Sequence, residues 1–128
     1  MHKTDFFKNS KLDERLNCAV ENLVNTFRPN KIYVFGSFAK NNVDLENDLD
    51  LKDIDLLVVV PKSDMRFTQR IVAMKKICTG EPHISPIMYT EDELEQMLED
   101  GEGYIEDILD EAVLIYRKSK KKPSKPIN

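Results

Sequence analysis

The chain has 128 residues, of which 41% are hydrophobic and 33% are charged, a balance that is ordinary for one globular domain. No apolar run approaches the roughly 20 residues that a membrane-spanning helix needs. The first residues also lack the apolar centre of a signal peptide, so we expect a cytoplasmic protein with no membrane contact. Residues 117–128 carry six basic and no acidic side chains, which leaves 13 basic against 23 acidic residues elsewhere. An acidic body disfavours broad nucleic-acid binding and suits a site that concentrates metal cations.

The first predicted element is an amphipathic helix that begins near Ser10, a candidate N-cap. Residues 1–9 before it are expected to be loosely ordered. The helix should end near Arg28, because Pro29 disfavours helical geometry in the residue before it. Apolar residues recur at helical spacing and predict a core-facing stripe; they are Leu12, Leu16, Ala19, Val20, Leu23, Val24 and Phe27.

Two predicted strands, Lys31–Phe35 and Ile54–Val60, follow the helix and enclose a long acidic loop. Asp53 and Asp55 stand where the second strand begins. Side chains at positions i and i+2 of a strand point to the same face, with backbones roughly 6–7 Å apart. Such a pair can converge on one divalent cation or on two close cations, and Mg²⁺ prefers one or two carboxylates together with waters and phosphates.

Gly36 and Ser37 follow the first of these strands and form the second half of the candidate site. Glycine allows a phosphate to approach the backbone closely. The serine can donate its hydroxyl to that phosphate, and it can also cap a short helix whose N-terminal amides favour an anion. The two halves together predict a rigid site for a metal ion and a phosphate.

These motifs resemble those of the nucleotidyltransferase superfamily with the polymerase-β-like fold. The pattern Gly36-Ser37-x-Ala39, the acidic loop and Asp53-Ile54-Asp55-Leu56-Leu57-Val58 are most similar to the small single-domain members, the minimal nucleotidyltransferases. The resemblance extends to about Tyr116. It implies an α+β nucleotidyltransferase domain over residues 1–116, with a mixed β-sheet flanked by helices, and a basic disordered tail over residues 117–128.

The resemblance also implies an activity. A nucleoside triphosphate, expected to be ATP, would place its phosphates at Gly36 and Ser37, and Asp53 and Asp55 would be the catalytic ligands of Mg²⁺ or Mn²⁺. An acceptor hydroxyl would attack the α-phosphorus in line and release pyrophosphate. A second Asp-x-Asp pair, Asp48 and Asp50, stands as the alternative metal pair. We favour Asp53 and Asp55 because they lead directly into the apolar strand that would hold them rigidly.

The next strand, predicted over His83–Tyr89, departs from the family pattern. Family members commonly carry a third carboxylate on this strand, whereas the candidate positions here hold His83 and Ser85. Pro86 indicates an edge strand. The missing acid supports a second hypothesis, also implied by the resemblance: a weak or inactive nucleotide-binding antitoxin-type component that acts with a small helical HEPN-type partner. Because a chain this short has little room for an acceptor-binding domain, we expect a second polypeptide or a homo-oligomer to complete the site. Nucleic-acid binding by the basic tail stays open.

The remaining predicted elements are three helices and a final strand. The first helix runs from about Asp64 to Cys78 with Ser63 as its cap. Its basic residues, Arg70 among them, are expected mostly in solvent, with one or two of them as candidates to approach triphosphate oxygens. Thr90 and Glu93 form a capping box for a helix over Glu91–Glu99, which glycines end. A short helix over Tyr104–Leu109 and a strand over Ala112–Tyr116 complete the domain. Two cysteines far apart indicate no zinc cluster, and both Cys18 and Cys78 are expected in the core.

Overall fold

Four strands form the central sheet of the computed structural model, which describes residues 10–36, 53–78 and 84–119, without the side chains of residues 10–13. The strand order is β3-β2-β1-β4, and β1 is antiparallel to both of its neighbours, whereas β2 and β3 are parallel. The sheet is therefore mixed, as expected. The strands are β1 Lys31–Phe35, β2 Ile54–Val60, β3 Ile84–Thr90 and β4 Val113–Arg117.

Four helices accompany the sheet: α1 Ser10–Phe27, α2 Phe67–Ile77, α3 Glu91–Asp100 and α4 Tyr104–Glu111. The chain passes through α2 between β2 and β3, because parallel neighbours need a crossover connection. This α+β arrangement of a sheet flanked by helices confirms the predicted fold class. Over the described ranges, no helix combines the length and the apolar character needed to cross a membrane.

The larger core lies between one face of the sheet and helices α1 and α2. Leu56 and Val58 of β2 are fully buried there against Leu16 and Leu23 of α1 and Met74 of α2. The predicted apolar stripe of α1 is confirmed from Leu16 to Phe27, and Leu12 lies outside the described side chains. Cys78 is buried in this core as expected, whereas Cys18 is exposed, so that prediction was wrong.

The second core lies on the opposite face, under α3 and α4. Leu57 and Val59 of β2 are 0% and 1% exposed there and pack with Leu94, Ile105 and Ile108. β2 is thus apolar on both faces along most of its length, which is typical of a strand buried on both sides. The exception is Asp55, which shares this second face with Leu57 and Val59 because it precedes them at even spacing.

The basic residues of α2 lie mostly in solvent, as predicted, and Arg70 is the exception. Its side chain is buried, and its Nε donates a hydrogen bond to the carbonyl of Met65 (2.9 Å) and its Nη1 to that of Met88 (3.2 Å). Its Nη1 and Nη2 donate to the two carboxylate oxygens of Glu93 at 2.7 and 2.9 Å. The arginine therefore ties α2 to the end of β3 and to the start of α3.

The capping box of α3 is confirmed. The Glu93 backbone N–H donates to Oγ1 of Thr90 (3.1 Å), and the Thr90 N–H donates to Glu93 Oε1 (2.8 Å). Gly101 ends α3 with φ +66°. By contrast, α2 begins three residues later than predicted, because Ser63 Oγ accepts from the Met65 N–H (3.1 Å) in a turn before the helix.

Four further elements differ slightly from the predictions. α3 ends one residue later than predicted and α4 two residues later, and both β3 and β4 are shifted by one residue toward the C-terminus. β3 lies at one end of the four-stranded order, so the edge position indicated by Pro86 is confirmed for this sheet. The proposed limits of the domain and its tail stay predictions, since residues 1–9 and 120–128 lie outside the described ranges.

Candidate functional site

The candidate site forms where β1 ends and β2 begins, at one end of the sheet. The antiparallel register sets Phe35 opposite Asp55, so the residue after Phe35 lies beside that carboxylate. That residue is Gly36, with φ +76°, a left-handed conformation that favours glycine. A Cβ added to Gly36 would overlap Oδ2 of Asp55. Glycine therefore gives the Asp55 carboxylate the space in which it lies.

Asp53 and Asp55 form the acidic part of this site. Asp53 is exposed just before β2, whereas Asp55 is half-buried in the strand. Burial, and after it the negative charge of Asp53, raises the pKa of the Asp55 carboxyl above its ordinary value. Both causes disfavour a charged Asp55, and a bound cation would offset both. Two carboxylates this close in sequence, one of them half-buried, have the chemistry of a cation site.

Ser85 is the third side chain that the sheet brings to this site. The parallel pairing of β2 with β3 sets Ser85 directly beside Asp55, and both residues are half-buried. Residues paired in this way point to the same face of a sheet. Of the two candidate third positions, Ser85 is thus the one seen beside the acidic pair, and it supplies a hydroxyl where a carboxylate would add charge. His83 lies outside the described residues.

The location of the site follows from where the helical cover begins. On the same face of β2, Leu57 and Val59 are fully buried under α3 and α4. Asp55, which lies two residues before Leu57, is only half-buried. The same change occurs along β3, where Ser85 precedes the apolar residues Ile87 and Tyr89 that pack into this core. This face of the sheet therefore changes from an apolar core to a polar, accessible end within two residues along each strand.

The described carboxylates fit one divalent cation. In the three described ranges, no group of three or more histidine, cysteine, aspartate or glutamate side chains could hold a metal ion. Two carboxylates suffice for Mg²⁺ when waters and substrate phosphates complete its coordination. A second cation would need ligands beyond Asp53 and Asp55. The alternative pair, Asp48 and Asp50, lies outside the described residues, as does Ser37, so nothing tests their predicted roles.

The contact between Gly36 and Asp55 is the feature that sequence reasoning missed. The sequence indicated Gly36 only as a place for phosphate to approach, and the structure adds that this glycine accommodates the carboxylate. A signal was present, because a glycine directly after one strand and an aspartate near the start of the next become neighbours if the strands pair antiparallel. The pairing itself could not be inferred from the local pattern.

Comparison with known proteins identifies the family. The family described as "Nucleotidyltransferase domain" matches residues 16–126, so this chain belongs to that family and the predicted resemblance is confirmed. A crystal structure from Sulfolobus solfataricus, of a protein assigned as a nucleotidyltransferase, is similar in fold with a TM-score of 0.56 at 19% identity. The similarity covers 88% of this chain and 91% of that one. None of the curated proteins matches with significance.

Family membership supports a general nucleotidyltransferase function with a nucleoside triphosphate as substrate. The candidate site lies where β1 ends and β2 begins. Members of the family generally use a divalent metal.

Proposed function

We propose that the chain transfers a nucleoside monophosphate from ATP to an acceptor hydroxyl, with Asp53 and Asp55 as ligands of Mg²⁺ or Mn²⁺. The observation that carries this proposal is the Asp55 carboxylate lying against Gly36 at the start of β2. This contact puts a carboxylate and a bare stretch of backbone at one point of the sheet. A nucleoside triphosphate bound through a cation needs both. The carboxylate would hold the cation that neutralises the phosphates, and a glycine backbone lets a phosphate oxygen approach closely.

Each residue then has a distinct role. Gly36 leaves its backbone open to a phosphate oxygen, and Ser37, the next residue, donates its hydroxyl to the same group. Asp53 and Asp55 would hold the cation, which would offset negative charge on the phosphate oxygens. The rigid strand behind Asp55 fixes the α-phosphorus for in-line attack. A bond forms between the acceptor oxygen and the α-phosphorus as the bond to pyrophosphate breaks, and the hydroxyl proton passes to solvent water.

Ser85 determines how fast this transfer can be. A serine hydroxyl next to Asp55 adds no negative charge for a second cation, and it is a poor base near neutral pH. The chain should therefore bind ATP with one cation and turn it over slowly, unless a partner or Glu81, the acidic residue two positions before His83, supplies an acid. A carboxylate placed on β3 by Ser85→Asp should raise the rate of transfer. His83→Asp should raise it only if that residue also faces the site.

The position of Ser85 beside Asp55 also supports a second candidate function. With a hydroxyl at the β3 position, the domain would bind nucleotide in a complex without efficient transfer, as the antitoxin-type component of a pair with a HEPN-type helical protein. Labelled ATP incubated with the isolated chain and a cell extract separates the two. Label on any macromolecule supports the transferase. Binding without label, restored to transfer by Ser85→Asp, supports the binding component.

The metal and nucleotide site is tested by the double variant Asp53→Asn with Asp55→Asn. Calorimetric titration with ATP and Mg²⁺ should show the loss of metal-dependent binding while circular dichroism shows an intact fold. The matched control is Glu95→Gln with Glu102→Gln, which removes two exposed acids elsewhere. Unchanged affinity in the aspartate variant would refute the site. A larger loss in Asp48→Asn with Asp50→Asn would assign the metal to that pair instead.

A further inference from the structure

A group of basic side chains lies at the end of the sheet opposite the acidic site. Antiparallel pairing sets Lys31, the first residue of β1, directly opposite Arg117, the last residue of β4. Four strand steps of about 3.3 Å separate Lys31 from Phe35, so this end lies roughly 13 Å from the acidic one. Lys118 follows immediately. We call Lys31, Arg117 and Lys118 the basic end.

The basic end lines a concave surface that is held in place by backbone hydrogen bonds. A cavity of about 450 Å³ is bordered by the basic end together with Asn30, Glu91 and Ser119. The Lys118 N–H donates to the Asn30 carbonyl (2.8 Å), and the Asn30 N–H donates to the Val59 carbonyl (2.7 Å). These two hydrogen bonds fix the residue before β1 and the residue after β4 to the sheet.

The charges in this cavity are not balanced within the described part of the chain. Like charges directly opposite each other across a strand pair are destabilising. Neither Lys31 nor Arg117 forms an ion pair with any described residue. Glu91 is the acid that lines the cavity, and its Oε2 already accepts a hydrogen bond from Nδ2 of Asn30 (2.8 Å). Three basic side chains against one acid leave the lining with a charge of +2, which favours an anionic ligand.

We propose that the basic end binds the phosphodiester backbone of single-stranded RNA. Phosphate neutralisation by lysine and arginine is independent of sequence and needs only clustered cations. A single strand is flexible enough to follow a short concave surface, whereas a duplex is stiff over tens of nanometres. The sequence after Ser119 contains four lysines and no acid, so the residues that follow the basic end are also basic.

An acidic protein is the less suitable occupant of this surface. Protein interfaces have a core of buried apolar side chains that supplies much of their stability. The large apolar side chains that are exposed in the described ranges are Val72, Leu98, Tyr104 and Leu114. None of them lines the cavity at the basic end. Its lining is thus suited to a ligand that is recognised through charge.

The test is equilibrium binding of a fluorescent 12-nucleotide RNA to the full chain, without nucleotide or metal, over a range of salt concentrations. The triple variant Lys31→Gln, Arg117→Gln, Lys118→Gln should bind at least tenfold more weakly than wild type at low salt. Its slope of log K against log salt should fall by about 2, since each lost phosphate contact removes about 0.7. The matched control is Lys62→Gln, Lys75→Gln, Lys76→Gln, which removes three exposed lysines elsewhere.

Several results would overturn the proposal. These are no binding by wild type, equal losses in the triple variant and its control, or loss on removing residues 120–128 with none in the triple variant. Polyglutamate that displaces the RNA at the same charge concentration would assign the surface to acidic proteins. Because the assay contains no triphosphate, its outcome is independent of the activity proposed for Asp53 and Asp55.

Discussion

Two carboxylates of this domain, Glu93 and Asp55, have opposite surroundings. Hydrogen bonds from Arg70 are the main cause that lowers the pKa of Glu93 below its ordinary value, and the Thr90 backbone adds to them. Burial, and then the charge of Asp53, raises the pKa of Asp55. The fold thus favours the charged form of one carboxylate and disfavours that of the other.

This difference separates residues that stabilise the fold from residues placed for a ligand. Glu93 receives its cation from within the chain, so its charge is already compensated. The Asp55 carboxylate lies against Gly36 and near a second acid, an arrangement that an external cation would stabilise. A strand that is otherwise apolar on both faces keeps this one charged residue at its open end.

The largest expected effect comes from Arg70→Met. The substitution leaves the buried carbonyl of Met88 without its donor and Glu93 without its cation. Breaking a buried pair typically costs 3–5 kcal/mol, and the 42% exposure of the Glu93 side chain reduces this. We expect the free energy of unfolding in urea to fall by about 3 kcal/mol. Lys62→Met, which removes an exposed charge, is the control, and a difference below about 1 kcal/mol between them would contradict the role given to Arg70.

Gly36→Ala should have the next largest effect, and it acts on the site itself. The new Cβ would meet Oδ2 of Asp55 in a left-handed backbone conformation. We expect a loss of about 2 kcal/mol in unfolding free energy, of which about 1 kcal/mol is backbone strain. Nucleotide affinity measured by calorimetry should fall as well.

Gly101→Ala is the control for that substitution. Gly101 also has a positive φ, but a Cβ there would have no atom within 4 Å. It should lose only the strain contribution of about 1 kcal/mol and keep full nucleotide affinity. Equal effects on affinity at the two glycines would show that the contact between Gly36 and Asp55 does not matter for binding.

The sequence predicted what depends on local patterns. The bounds of β1 and β2 were correct, because each is a short apolar run with clear turn signals at its ends, and the capping box at Thr90 was correct because its residues are three apart. Arg70 was misplaced because its partners, Met88 and Glu93, are 18 and 23 residues away. Only the packing of α2 against β3 shows them.

The candidate site divides in the same way. Asp53, Asp55 and Gly36 were identified from spacing and from a family resemblance, and their roles stay predictions. The position of Ser85 beside Asp55 depends on a parallel pairing between strands that are 30 residues apart. A single sequence leaves that register open, since a shift by one residue would turn the side chain to the other face.

Glu93→Gln should have a smaller effect that depends on pH. The pKa of Glu93 is lower in the fold than its ordinary value of 4.5, so the charged form stabilises the protein. That contribution is complete above pH 4.5 and is lost as the pH falls through the lower, folded value. At pH 7 we expect a destabilisation of about 1 kcal/mol, reduced by solvent screening. Urea titrations should show the gap to wild type closing in acid. Glu95→Gln is the exposed control, and a gap independent of pH would contradict the ion pair with Arg70.

The smallest expected effect has the opposite sign. Asp55→Asn removes a charge that burial and Asp53 both disfavour, so without divalent cations the variant should be slightly more stable than wild type, by less than about 1 kcal/mol after screening. Adding Mg²⁺ with ATP should stabilise wild type in proportion to ligand binding and leave Asp55→Asn unchanged, which reverses the order of the two proteins. Glu102→Gln removes an exposed acid and should respond as wild type does. A variant that is less stable than wild type without metal would mean that the charged carboxylate is favoured by the fold, as Glu93 is, and the contrast between these two acids would then fail.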